Sequence, residues 1–292
     1  KSIYTPCFSD SFRNILTNMV KAAGKKDEQA KKLYVKAEGI LQNILKIEQN
    51  KFSNISIKNI SESFLNSGRL DAEYYQPKYD QLFEILENLP TKILGGKNGI
   101  VIIKKSIEPG SNAYCENGIP FVRVSDVTKF GISEPSIKLP SDVVPNVSSL
   151  YPHKNTILFS KDGSVGIAYK VEKELEIITS GALLHMTVKN PQEVLPDYLT
   201  LVLNSPIVQL QAERDSSGAI IQHWNPSEIE KIVIPILDFE IQTSISEKVQ
   251  ESFALRHQSE KLLEYAKRAV EIAIEQDEET AMEWLKEKGV EC

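Results

Sequence analysis

The chain has 292 residues, 41% of them apolar and 25% charged, with a formal net charge of −6. That length can bury one large core or two ordinary ones, and the acidic balance excludes a simple polycationic nucleic-acid binder. No apolar run nears the roughly eighteen residues that cross a bilayer, and three scattered cysteines (Cys7, Cys115, Cys292) suit neither a disulfide framework nor a zinc site, which points to a reducing, cytoplasmic compartment.

The chain opens Lys1-Ser2-Ile3-Tyr4, with neither an initiator Met nor a signal-peptide core, as a fragment or processed chain does. Residues 1–52 carry ten Lys/Arg against five Asp/Glu. Within them Leu33, Ala37, Ile40, Leu41, Ile44 and Leu45 recur at three- and four-residue steps, the signature of a long amphipathic helix. A helix of about thirty residues spans roughly 45 Å.

The segment 53–240 has a different texture. A turn-rich stretch leads to Arg69-Leu70-Asp71-Ala72-Glu73-Tyr74-Tyr75-Gln76-Pro77 and a short helix over Pro77–Leu89. Apolar runs at Val101–Ile103, Pro120–Val124, Thr156–Phe159, Val165–Tyr169 and Leu183–Val188 predict strands, punctuated by Gly and Pro. One amphipathic helix is predicted over Pro196–Arg214, a short one over Pro226–Lys231, and a strand at Ile232–Ile234. The fold class is therefore α+β: one mixed domain at 53–240 carried on two long coiled-coil helices.

Residues 241–292 supply the second helix, with seven Lys/Arg against twelve Asp/Glu. Val249, Phe253, Leu262, Leu263, Ala266, Val270 and Ile274 mark its apolar face. Placing Pro6 on Pro235 aligns the two ends without a gap, with Val20 on Val249, Leu33 on Leu262, Ala37 on Ala266 and Leu41 on Val270. The shared apolar register makes the ends an internal repeat. Opposite charge favours their pairing, in cis or across a dimer, through Leu33, Ala37, Leu41, Leu262, Ala266 and Val270.

No catalytic constellation emerges. There is no phosphate-binding Gly-x-x-x-x-Gly-Lys-Ser/Thr, and Asn190-Pro191-Gln192-Glu193 and Asn225-Pro226-Ser227-Glu228 lack the second proline and aromatic of an adenine methyltransferase motif. No lysine follows a carboxylate at two positions, which removes the common metal-dependent nuclease arm. The four histidines (His153, His185, His223, His257) lack ligand spacing, so no metal site is expected.

Several strings together resemble the specificity subunits of type I restriction-modification systems. Arg69–Pro77 is similar to the opening of their target recognition domains, and Gly118-Ile119-Pro120-Phe121-Val122-Arg123-Val124-Ser125-Asp126-Val127 to the strand and turn that follow. Thr156–Gly166 resembles a strand ending in a Gly-x-x-Gly turn, and Pro196-Asp197-Tyr198-Leu199, Gly218–Ile229 and Ile232–Ile236 resemble the domain's close. Gln242–Ile274 resembles the conserved spacer helix.

The resemblance implies a non-catalytic subunit that reads one half of a bipartite site in double-stranded DNA. It also implies methyltransferase subunits docked on the helices and a motor-nuclease subunit beyond them. S-adenosylmethionine, ATP and Mg belong to those partners, and no cofactor to this chain. One recognition domain is present where the family carries two, as in a fragment or a half-subunit that dimerises. A coiled-coil adaptor that binds protein without reading DNA is the alternative, and the acidic middle segment leaves it open.

Base reading needs donors and acceptors on loops, with cations nearby for phosphates. Three stretches supply them: Lys104-Lys105-Ser106, Ser160–Ser164 with Lys161 and Ser164, and Arg214–Asn225 with Arg214, Ser217, Gln222 and His223. Arg123 either reaches DNA or pairs with Asp126, and Trp224 either anchors the core or stacks on a base. Gly163 and Gly166 serve turn geometry.

Overall fold

The computed structural model describes residues 6–45, 57–143, 145–217 and 222–290. Expectations for Lys1–Thr5 and for Gly218–Ile221 lie outside these. In chain order, three helices come first: α1 (Asp10–Leu45), α2 (Ile60–Ser67) and α3 (Pro77–Glu87). The strands β1 (Thr91–Ile93), β2 (Val101–Lys105), β3 (Ile119–Val122), β4 (Val127–Thr128), β5 (Gly131–Ile132) and β6 (Lys138–Leu139) follow. Next are β7 (Ile157–Ser160), β8 (Asp162–Gly163), β9 (Ala168–Lys170), β10 (Ile178–Thr179) and β11 (Leu183–Val188). The chain then passes through α4 (Pro196–Leu203), α5 (Pro206–Asp215), β12 (Gln222–His223), α6 (Pro226–Ile229) and β13 (Val233–Pro235). It ends in α7 (Phe239–Glu275) and α8 (Glu278–Glu287).

Two compact units result, Lys1–Ala37 with Glu247–Cys292 and Glu38–Ser246. The boundaries expected at 52/53 and 240/241 both fall inside the second. In the first unit, α1 and α7 run antiparallel. The Ser252 hydroxyl donates to the Ala30 carbonyl at 2.7 Å and Ser259 to Ala23 at 2.8 Å, one heptad apart on each helix. Small residues spaced by seven (Ala23, Ala30 and Ala37; Ser252, Ser259 and Ala266) are all buried and let the backbones approach closely enough for those bonds.

Of the six residues expected to pair the helices, Ala37, Leu41 and Ala266 are buried while Leu33, Leu262 and Val270 are half-buried. Leu41 belongs to the second unit. Leu263 and Ile274, expected on the apolar face, are exposed, and Ala269 and Ile272 are buried instead. Hydrophobicity alone ranks leucine above alanine and serine, whereas close packing selects the small side chains. The Arg256–Asp27 ion pair (3.6 Å) crosses the seam in the sense opposite to the segment charges. Phe12 and Met19 of α1 pack with Ala269 and Ile272 of α7 and with Ala281 and Leu285 of α8. Asp277 caps α8 by accepting from the Thr280 amide at 2.7 Å.

The second unit is built on a four-stranded antiparallel sheet ordered β2-β11-β7-β9. Every residue of β7 is buried, as is fitting for an inner strand. α4 packs on β9, and the two are tied by Lys170 and Asp197 at 3.0 Å. A second sheet, β10-β3-β6, pairs β3 with β10 in parallel around Phe121, Leu139 and Ile178.

Where one helix was expected over Pro196–Arg214 there are two. Pro206 has no amide to donate and disfavours helix at the residue before it. Ser205 is accordingly extended (φ −83°, ψ 163°) and the chain restarts with proline in the first turn of α5. Helices α2 and α8 were not expected from the sequence.

Candidate nucleic-acid interface

The inner strands of the main sheet end together. Leu183 of β11 pairs with Ser160 of β7, and Leu184 pairs with both Phe159 of β7 and Lys105 of β2. Ser180 donates to the Val122 carbonyl (2.9 Å), which brings the turn after β3 to the same end.

Beyond β7 the chain folds into a tight turn. The Ser160 hydroxyl accepts from the Ile167 amide at 2.8 Å, and the Gly166 amide donates to the Ser160 carbonyl at 2.9 Å. Gly163 and Gly166 have φ of +72° and +81°, which side chains resist. A Cβ at Gly166 would stand 2.7 Å from the Gln209 amide nitrogen, the group that donates to the Gly166 carbonyl. Turn geometry accounts for these glycines.

A later loop is fastened onto this turn. β8 and β12 pair with Gln222 opposite Gly163 and His223 opposite Asp162. Ser217 and His223 exchange backbone hydrogen bonds of 2.9 and 2.7 Å, and the Trp224 amide donates to the Lys161 carbonyl at 2.8 Å. Trp224 itself is buried, its ring 5.9 Å from that of Phe159. It is a core anchor rather than a stacking surface.

Five of the expected residues (Lys161, Ser164, Ser217, Gln222 and His223) therefore lie on segments that these pairings bring together. All but Lys161 are exposed. Lys161 is half-buried and paired with Asp162. Lys104 and Lys105 are exposed and form the last two residues of β2, rather than a loop after it. They lie two strands across from the end of β7, about 10 Å by strand spacing. Arg123 stands beside Asp126. Its amide donates to the Asp126 carboxylate at 2.8 Å and its guanidinium Nε stands 3.8 Å from that group.

Arg214 is engaged within its own domain. It closes α5 with its guanidinium stacked 4.3 Å from the Phe83 ring and 5.1 Å from that of Tyr74. It is also doubly bonded to Asp215 at 2.6 and 3.1 Å. Cation–π stacking and a bidentate carboxylate hold it in the domain, four-fifths covered. The Arg69–Tyr75 string explains why. Arg69 pairs with Asp71 at 2.6 Å and reaches the carbonyls of Arg214 and Asp215 at 3.4 Å, and the Tyr75 hydroxyl donates to the Arg69 carbonyl at 2.9 Å. A cation there meets the carbonyls left over at a helix C-terminus. The string is a brace.

Two residues escaped sequence reasoning. Asp162 accepts from Lys161 and stands 2.9 Å from His223 Nδ1, across a pairing between residues 61 apart in sequence. His185 lies opposite Lys104, its Nε2 2.7 Å from the Thr179 hydroxyl. Burial first, and Lys104 second, push its pKa down to about 4. Neither carries a local motif; only strand register assembles them.

Among the described residues, no group of three His, Cys, Asp or Glu side chains is placed to hold a metal ion. No described helix is long and apolar enough to cross a membrane.

A family model described as the type I restriction modification DNA specificity domain matches residues 97–265. No curated protein matches the chain. Among solved structures, a chain from work on complex assembly and conformational transition of the type I R-M system is 16% identical, covering 89% of this chain and 56% of that one, with a TM-score of 0.43. The HsdS subunit from Thermoanaerobacter tengcongensis is 14% identical, covering 91% and 57%, with a TM-score of 0.43. The type I S subunit from M. genitalium is 15% identical, covering 64% and 41%, with a TM-score of 0.36. The chain thus spans between 41% and 57% of the length of these structures.

Proposed function

The chain belongs to the type I restriction modification DNA specificity domain family, and on that premise we propose that it reads one half of a bipartite sequence in double-stranded DNA. It acts as the non-catalytic specificity subunit of a type I restriction-modification complex. The observation that carries this reading is the convergence at one sheet end of three separate stretches: the end of β2, the turn after β7 and the loop at β12. They offer hydroxyl, amide, imidazole and ammonium groups on a rigid support, which direct readout of base edges requires. An ordinary solvated turn needs no such gathering.

The paired long helices space this domain from a second recognition domain, carried on a longer chain or a second copy. Methyltransferase subunits dock on the helices, a motor-nuclease subunit completes the assembly, and S-adenosylmethionine, ATP and Mg2+ are theirs. The setting is the cytoplasm. A net charge of −6 leaves the isolated chain a weak DNA binder, because affinity for the backbone comes from neutralised phosphates and released counterions. Its partners supply most of those contacts.

Sequencing the methylated bases of host DNA tests the reading. A bipartite methylated motif should be present with the chain and vanish without it. Gln222→Ala should relax one base pair of one half-site by roughly 1–3 kcal/mol of discrimination. An unchanged methylation pattern on removing the chain would refute the proposal.

A further inference from the structure

Resting on that reading, we infer that His223 recognises an exocyclic amino group in the target, adenine N6 or cytosine N4, and that Asp162 is the residue that fits it for the task. His223 Nδ1 lies 2.9 Å from Asp162 Oδ1. A carboxylate only accepts hydrogen bonds, so Nδ1 carries the proton. In the neutral ring this leaves Nε2 as a bare acceptor, since each nitrogen's role is set by the bond the other makes.

The geometry is held from several sides. His223 and Asp162 are cross-strand partners, and the other Asp162 oxygen takes the Lys161 ammonium. The backbone is fastened to Ser217 and, through Trp224, to Lys161. The imidazole remains 61% exposed while Asp162 is 24% exposed. The carboxylate is thus sheltered and the ring presented. Nε2 has no hydrogen-bond partner among the described residues. In the major groove only adenine N6 and cytosine N4 offer donors to an acceptor of this kind, while guanine O6 and N7 and thymine O4 are themselves acceptors.

Two measurements test this. First, long-range proton–nitrogen NMR of the free, 15N-labelled chain reports which ring nitrogen is protonated. His223 should carry its proton on Nδ1 with Nε2 bare, and Asp162→Ala should shift it towards the Nε2–H form of an unrestrained histidine. A wild-type ring that is Nε2–H or doubly protonated overturns the inference. Second, the assembled complex is titrated with duplexes in which purine replaces each target adenine, or 2-pyrimidinone each cytosine, which deletes one amino group at a time. Wild type should lose about three- to tenfold in affinity at one such position, and His223→Ala and Asp162→Ala should lose nothing further there. If no deleted amino group is coupled to His223 while the complex still discriminates its target, the inference falls and the DNA-reading proposal stands. If the complex discriminates no duplex at all, both fall.

Discussion

His185 ties the stability of the second unit to pH. Its pKa is pushed down to about 4 in the folded chain, against about 6.5 when unfolded. Between those values the unfolded state binds more protons, so stability rises with pH there. The contribution is present in full above pH 6.5 and is lost as the pH falls through 4. Its size is on the order of 3 kcal/mol. Urea denaturation between pH 7 and 4 should show this loss, and His185→Gln should flatten that part of the profile. An identical acid dependence in the variant would mean that the imidazole titrates normally. Arg214 stabilises the same unit through Asp215, Phe83 and Tyr74. Arg214→Ala should cost about 1–3 kcal/mol of stability by leaving Asp215 unpaired and Phe83 and Tyr74 uncovered. It should leave the salt dependence of DNA binding unaltered. Unchanged stability with a flatter salt slope would instead put this arginine on a phosphate.

The seam of α1 and α7 rests on small residues. Ala30 is fully buried and its carbonyl takes the Ser252 hydroxyl at 2.7 Å. Ala30→Leu should therefore destabilise by about 1–3 kcal/mol through overpacking. Val35→Ala, at a side chain 63% exposed, should change the melting temperature little. Equal effects from the two would argue against close approach at Ala30. The long helices were legible because their apolar period persists over many turns; the row that faces the partner was legible only at Ala37 and Ala266, since Ala and Ser carry little hydrophobic signal. The strands of the main sheet were legible as runs of Val, Ile, Leu and Phe. The break at Pro206 was written in the sequence, yet the continuing apolar period masked it. β8 and β12 are two residues each, too short for any period, and their partnership exists only in the folded chain. For the same reason Asp162 drew no attention while Arg214, a cation on an apparent loop, did.

Taken whole, the molecule is acidic while its candidate DNA face is a local patch. The isolated chain should therefore bind duplex DNA weakly, and tight, specific binding should require the assembled complex. A filter-binding titration of the free chain checks this, and tight, salt-resistant binding by it alone would contradict the division of labour. The sheet end bearing the exposed Lys104 and Lys105 is the face assigned to DNA. The direct test is the salt dependence of the assembled complex, measured on its target and on single-mismatch duplexes, with Lys104 and Lys105 changed to alanine singly and together. The slope of log affinity against log salt should flatten by about one unit for every lysine on a phosphate. Discrimination between target and mismatches should survive, because these contacts position rather than specify. If the double variant keeps both the slope and the affinity of the wild type, DNA lies on another face of the protein.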